Sequence, residues 1–157
     1  MRQIKDCMKR NVVTISATAE VREAVALFVS RHIGLLPVID SQGRLSGMLS
    51  LRDMLGLVLP VFVNLIDDID FVHDFGAVEA AQPTSETLGQ PVTAVMRPAV
   101  TVPETCGLLR AYVLMRQRDL HDLMVLDTDL RLVGIASRVD IATAILAQWQ
   151  IGTGGQP

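Results

Sequence analysis

Residues 47–53 read GMLSLRD, and residues 134–140 read GIASRVD. Each stretch is a glycine, two apolar or small residues, a serine, two variable residues and an aspartate. Sliding the chain by 87 positions superposes the two, and the register continues on the N-terminal side. Thr14 falls on Thr101, Ala24 on Ala111, Leu27 on Leu114, Val38 on Val125, and Asp40 on Asp127. Arg44, Leu45 and Gly47 fall on Arg131, Leu132 and Gly134, Ser50 on Ser137, and Asp53 on Asp140. Met8 matches Met96 once one extra residue is allowed before Thr14. An ungapped register of some forty residues makes this an internal repeat, and the repeat governs the fold.

Each copy predicts the same elements. In the first, NVVTI is a short β-branched strand. TAEVREAVALFVSRH places Val21, Ala24, Val25, Leu27 and Phe28 at helical spacing, with Thr18 as its cap. LLPVI is a buried strand, DSQG a turn, RLSGMLS a further strand, and a helix begins at about Leu51. The second copy repeats this as AVTV, TCGLLRAYVLMRQR, DLMVL, DTDL, RLVGIAS and RVDIATAILAQWQ. The order per copy is β-α-β-β-α, a mixed α/β class. One such unit buries too little to stand alone, so the two are expected to pack together.

Between the copies lies a segment of different character. From 54 to 96 there is no Lys or Arg, while Asp67, Asp68, Asp70, Asp74, Glu79 and Glu86 are acidic. Phe62, Leu65, Ile66, Ile69 and Val72 share one helical face, opposite Asp67, Asp70 and Asp74. The expected organisation is a first repeat over 1–56, an acidic helical insert and loop over 57–90, a second repeat over 91–150 and a disordered tail over 151–157. Within the insert, the helix runs to about Gly76 and a loop covers AAQPTSET.

Composition narrows the function classes. Of the 157 residues, 50% are hydrophobic and only 4% aromatic, which leaves no stacking platform for single-stranded nucleic acid. A net charge of −3 and a pI near 5.5 argue against a polyanion binder. Cys7 and Cys106 form neither metal-ligand spacing nor a disulfide framework. The start MRQIKDCMKR carries charge where a signal peptide is apolar. The most apolar run, 55–66, is 12 residues long and contains Pro60, short of the roughly 20 a membrane span needs. The expectation is a soluble, reduced, cytoplasmic protein with no nucleic-acid or membrane partner.

The doubled pattern resembles the tandem cystathionine β-synthase (CBS) domain, a paired module that binds adenosine compounds. The matching residues are IKDCMKRNVVTI…A…LF…LLPVID…G…GMLSLRD and VTAVMRPAVTV…A…LM…DLMVLD…LVGIASRVD, covering about 1–56 and 91–148. The resemblance implies two copies packed about a pseudo-twofold axis with two clefts between them, and two modules pairing as a homodimer. It also implies a ligand role for Asp53 and Asp140, whose carboxylates would accept hydrogen bonds from vicinal ribose hydroxyls. Ser50 and Ser137, before helix N-termini, would offer hydroxyls where phosphate is attracted. By motif position, Met48, Pro98, Ala99 and Val100 would complete the first cleft, and Ile135, Val12 and Val13 the second.

Read without the resemblance, Ser-x-x-Asp before an apolar helical run is a capping box, and the apolar residues are core. Serine can cap in either case. At the position just before the LPVID strand, where better nucleotide binders carry a His-Arg pair, the copies have Gly34 and Leu35, and His121 and Asp122. His121 could face a phosphate and Arg52 could supply a basic contact, whereas Asp122 would repel one. This departure points away from multi-phosphate ligands and leaves adenosine, AMP, an adenosyl thioether or empty clefts as alternatives.

No nucleophile elbow, Gly-rich phosphate loop or zinc-protease motif is present, and His32, His73 and His121 have no placed partner. No enzyme, catalytic residue, metal or required cofactor is expected. Two functions follow: a regulatory module that binds an adenosine nucleotide, or a ligand-free scaffold whose acidic insert docks a protein partner. In that insert Asp67, Asp68, Asp70, His73 and Asp74 read first as a solvated face, second as a docking surface for a basic partner, and last as a metal site.

Overall fold

The computed structural model describes residues 2–59 and 82–151. The acidic run 67–74 and the helix expected up to Gly76 lie outside the described residues, as does the tail from 152.

The first copy opens with β1 (Ile15–Ser16), then α1 (Val21–Arg31), β2 (Leu35–Ile39), β3 (Leu45–Ser50) and α2 (Leu51–Leu55). After a short helix α3 (Ser85–Gly89), the second copy gives β4 (Thr101–Pro103), α4 (Leu108–Gln117), β5 (Asp122–Leu126), β6 (Leu132–Ser137) and α5 (Arg138–Leu146). Each copy has one three-stranded sheet, ordered β1-β2-β3 and β4-β5-β6. The outer strand runs parallel to the middle one, and the hairpin is antiparallel. The bulge in β2 falls between Val38 and Ile39 and that in β5 between Val125 and Leu126, again 87 positions apart.

Side-chain chemistry explains why the hairpins repeat. Asp40 Oδ1 accepts from the backbone N–H of Gln42 at 2.8 Å and of Arg44 at 2.9 Å. Asp127 Oδ1 does the same for Asp129 and Arg131, both at 2.9 Å. A short carboxylate that closes a turn on its own backbone is a turn former, which accounts for the shared aspartate. The turn also needs a left-handed residue. Gly43 supplies it in the first copy at φ 77°, whereas the second uses Leu130 at φ 60°.

The structure differs from the sequence expectation in three places. The strand over NVVTI shrinks to Ile15–Ser16, because only these residues find ladder partners, Val38 and Ile39. α1 begins two residues later than a Thr18 cap implies. The Thr18 hydroxyl is engaged with Ser16 at 2.9 Å, and it is Glu23 Oε2 that accepts from the N-cap N–H of Glu20 at 2.7 Å. Within the loop expected over AAQPTSET, Thr84 Oγ1 accepts from Thr87 N at 3.1 Å and starts α3.

The chain forms two compact units that cut across the sequential segments. One is continuous, Val13–Ala99; the other is discontinuous, Met1–Val12 with Val100–Pro157. The two crossing points, 12/13 and 99/100, are themselves 87 apart. Each unit therefore holds one copy's body and the other copy's leader. In the continuous unit Val92, in a 3-10 turn, donates to Ala19 O at 2.9 Å. In the discontinuous unit Ile4, in the matching turn, donates to Cys106 O at 2.8 Å. Ile4 and Val92 are both fully buried. The core of the continuous unit gathers Ile15, Ala19, Ala24, Phe28, Leu36, Val38, Leu49 and Val92. Buried residues of the discontinuous unit include Met115, Leu123, Met124, Val125 and Ile141.

Candidate functional site

In both units the sheet's last strand runs directly into a helix, and the serine at that junction is the N-cap. Ser50 Oγ accepts from Asp53 N at 3.2 Å, while Asp53 Oδ2 accepts from Ser50 N at 2.9 Å and Ser50 Oγ at 2.8 Å. The second copy matches it: Asp140 N donates to Ser137 Oγ at 3.1 Å, and Asp140 Oδ2 accepts from Ser137 N at 2.9 Å and Ser137 Oγ at 2.8 Å. The capping reading of Ser-x-x-Asp is therefore realised twice. It uses Oδ2 alone. A carboxylate has two oxygens and about four acceptor sites, so each box leaves Oδ1 for other chemistry.

The leaders bring a cation to each carboxylate. Arg97 Nε lies 3.3 Å from Asp53 Oδ1, and Lys9 Nζ lies 3.8 Å from Asp140 Oδ2. The aspartates are largely covered, with side-chain exposures of 14% and 21%, while Arg97 and Lys9 reach solvent. Each leader is pinned by a two-bond bridge. Arg97 and Met48 exchange backbone bonds at 2.9 Å each, and Lys9 and Ile135 exchange theirs at 2.8 and 2.9 Å.

These crossings also explain the glycine that opens each motif. A Cβ on Gly47 would come 2.7 Å from Met96 Sδ and 2.9 Å from the Arg97 carbonyl oxygen. A Cβ on Gly134 would run into the sulfur and Cγ of Met8. Glycine is required by the close approach of the leader, since neither position has positive φ. Arg97 and Lys9 escaped the sequence reading. The signal was there: each directly follows the matched methionine, as MR and MK.

The two sites differ at the start of the middle strand. In the continuous unit Leu35, buried, is the register partner of Ser50. In the discontinuous unit Asp122, half-buried, is the partner of Ser137. Burial pushes the Asp122 carboxyl above its ordinary range, and Asp140 adds to this, while His121 and Lys9 oppose it. The Cys7 thiol is raised as well, first by burial and then by the charges of Asp140 and Asp6. Cys7, Lys9, Asp122 and Asp140 thus share one electrostatic neighbourhood.

The other sequence-selected residues divide between the units. Met48 is buried, and Pro98 and Ala99 follow Arg97 in the continuous unit. Ile135 and Val12 belong to the discontinuous unit, where the His121 carbonyl accepts from Arg138 N at 2.9 Å and its side chain is exposed. Arg52 is exposed in the first turn of α2. Val13 and Val100 are the first residues beyond each crossing point. Two surface grooves lie elsewhere. One of about 890 Å³ is lined by Cys106, Leu109, Arg110 and Val113, and one of about 500 Å³ by Phe28, Val29, His32 and Leu51. Among the described residues, no group of His, Cys, Asp and Glu is arranged to hold a metal, and no helix is long and apolar enough to cross a membrane.

The family model for the CBS domain matches residues 4–60 and again 92–147. The chain belongs to the CBS domain family. As a CBS-domain chain it is 30% identical over 145 residues to the chloroplastic CBS domain-containing protein CBSX1 of Arabidopsis thaliana, covering 88% of this chain and 61% of that one. An uncharacterised protein of Methanopyrus kandleri is 38% identical over 64 residues, 41% of this chain and 32% of that protein. The CBS-domain chain thus spans less than two thirds of the length of these curated relatives. Among solved structures, CBSX2 in complex with AMP superposes with a TM-score of 0.70 at 27% identity, covering 94% of this chain and 98% of that one.

Proposed function

We propose that this chain is a regulatory, ligand-sensing CBS pair that binds an adenosine-type nucleotide (AMP, ADP, ATP or S-adenosylmethionine) and signals to a protein partner as a homodimer. The observation that carries this reading is the doubled capping box, which leaves Oδ1 of each aspartate outside the cap. Asp53 Oδ1 contacts Arg97, and Asp140 Oδ1 accepts no hydrogen bond among the described residues. A rigid helix N-terminus that presents a carboxylate suits two adjacent ribose hydroxyls, with the buried Met48 beside it as an apolar neighbour for the base. The likeness to CBSX2, which has been crystallised with AMP, supports the same reading. Ligand would act by population shift, to the extent of its differential affinity for two arrangements. No catalytic step is assigned to any residue.

Thermal melting with AMP and with S-adenosylmethionine tests the proposal. Ligand at a hundred times its Kd stabilises by about 2.7 kcal/mol, a rise of roughly 5–10 °C for a chain of this size. The rise is expected to vanish in the Asp53→Asn, Asp140→Asn double variant. An unchanged melting temperature with every adenosine compound would sink the reading.

A further inference from the structure

We propose that the two sites select ligands of different charge: the Ser50/Asp53 site accepts an adenine nucleotide carrying a 5′-phosphate, and the Ser137/Asp140 site accepts an adenosyl group without one, with Asp122 as the residue that excludes the anion. This rests on the adenosine reading above and adds selectivity to it.

The copies are close enough to be compared residue by residue. Both have the serine cap, the aspartate and one cation from the crossing leader. In the continuous unit Asp53 and Arg97 balance, and the register partner of Ser50 is Leu35. In the discontinuous unit Asp140 and Lys9 balance, and the register partner of Ser137 is Asp122. Counting the cap aspartate, its leader cation and the register partner, the first site sums to neutral and the second to one extra negative charge, with the exposed His121 beside it. Register partners on adjacent antiparallel strands have Cβ atoms about 5 Å apart, so Asp122 stands next to the cap that holds Asp140. Burial first, and then Asp140, disfavour the ionised form of Asp122, while His121 and Lys9 favour it. A half-buried carboxylate already repelled by one neighbour will repel a phosphate too.

A ribose held at Asp140 keeps its 5′ substituent within about one Debye length, ~8 Å, of Asp122. Repulsion between one carboxylate and a phosphate over that distance weakens binding roughly tenfold at physiological salt, and more at low salt. The cationic partners do not restore the balance: Lys9 is the farther and more exposed of the two, whereas Arg97 lies closer and can fork onto a phosphate.

Calorimetry with AMP and with adenosine, at low and physiological salt, tests the assignment on the full chain. In the native sequence AMP is expected to fill one strong site per chain, lost in Asp53→Asn and retained in Asp140→Asn. Adenosine is expected to lose a site in Asp140→Asn. Asp122→Leu, which copies Leu35, should create a second AMP site about tenfold tighter than before, and Asp122→Asn should do so without altering burial. Two equal AMP sites in the native chain, or no gain from either Asp122 variant while adenosine still binds, would overturn the charge selection and leave the adenosine reading standing. Absence of heat from both compounds would overturn both.

Discussion

Gly134→Ala probes the contact that carries Lys9 to Asp140. All three nearest atoms to a Cβ at Gly134 belong to the Met8 side chain, and Met8 is itself buried at 9% exposure. It has little free space to retreat into, so the substitution should show the overpacking cost of about 1–3 kcal/mol. At about 2–4 °C per kcal/mol, that lowers the melting temperature by roughly 2–12 °C. Shortening the neighbour removes the clash. In a Met8→Ala background, itself about 2–5 kcal/mol less stable, Gly134→Ala should be neutral or stabilising by about 0.5–1 kcal/mol, because alanine loses less entropy than glycine in a strand. The coupling, read from a double-mutant cycle by urea unfolding, should be about 1–4 kcal/mol. The equivalent pair behaves differently. A Cβ at Gly47 also meets the Arg97 carbonyl at 2.9 Å, and backbone cannot be trimmed, so Met96→Ala should rescue Gly47→Ala only in part. Equal cost of Gly134→Ala in both backgrounds would show that Met8 is not what requires the glycine.

Two further outcomes follow from the differences between the copies. Leu130 sits at φ 60° with 72% exposure, where the first copy has Gly43. A left-handed residue with a Cβ costs about 1–2 kcal/mol, so Leu130→Gly should stabilise by roughly 0.5–1 kcal/mol net of the entropy glycine loses on folding, measured by thermal unfolding. Asp122 has a raised carboxyl pKa in the folded chain. Its contribution to stability is therefore present below the unfolded value near 3.9 and is lost as pH rises through the folded value. Asp122→Asn should raise the melting temperature at pH 7–8, with the difference closing below about pH 4; a larger gain in acid would contradict the burial and repulsion assigned to it.

Much of this was legible in the sequence because the repeat doubled every weak signal. Four of the six strands, all but the short outer ones, and both long helices sit where alternation and helical spacing place them, and Asp40 and Asp127 already announce the hairpins. Chain-distant partners were harder. The glycine of GMLSLRD looked like strand-end punctuation, and its reason, a methionine from a crossing leader, lies in another part of the chain. Arg97 and Lys9 were hidden by the one-residue offset that the register skips. The short β1 and the Glu20 cap reflect hydrogen-bond supply, which propensity does not count. The aspartates were read as either caps or ligands. They are caps through Oδ2, and the ligand role proposed for them falls to what remains of the carboxylate.

A crystal structure of the chain grown with AMP addresses the ligand role most directly. AMP is expected at the Ser50/Asp53 site, with both ribose hydroxyls within hydrogen-bond distance of the Asp53 carboxylate and Arg97 turned towards the phosphate. AMP bound elsewhere, as in the groove beside Leu109 and Val113, with Asp53 engaged only by its own cap, would contradict it.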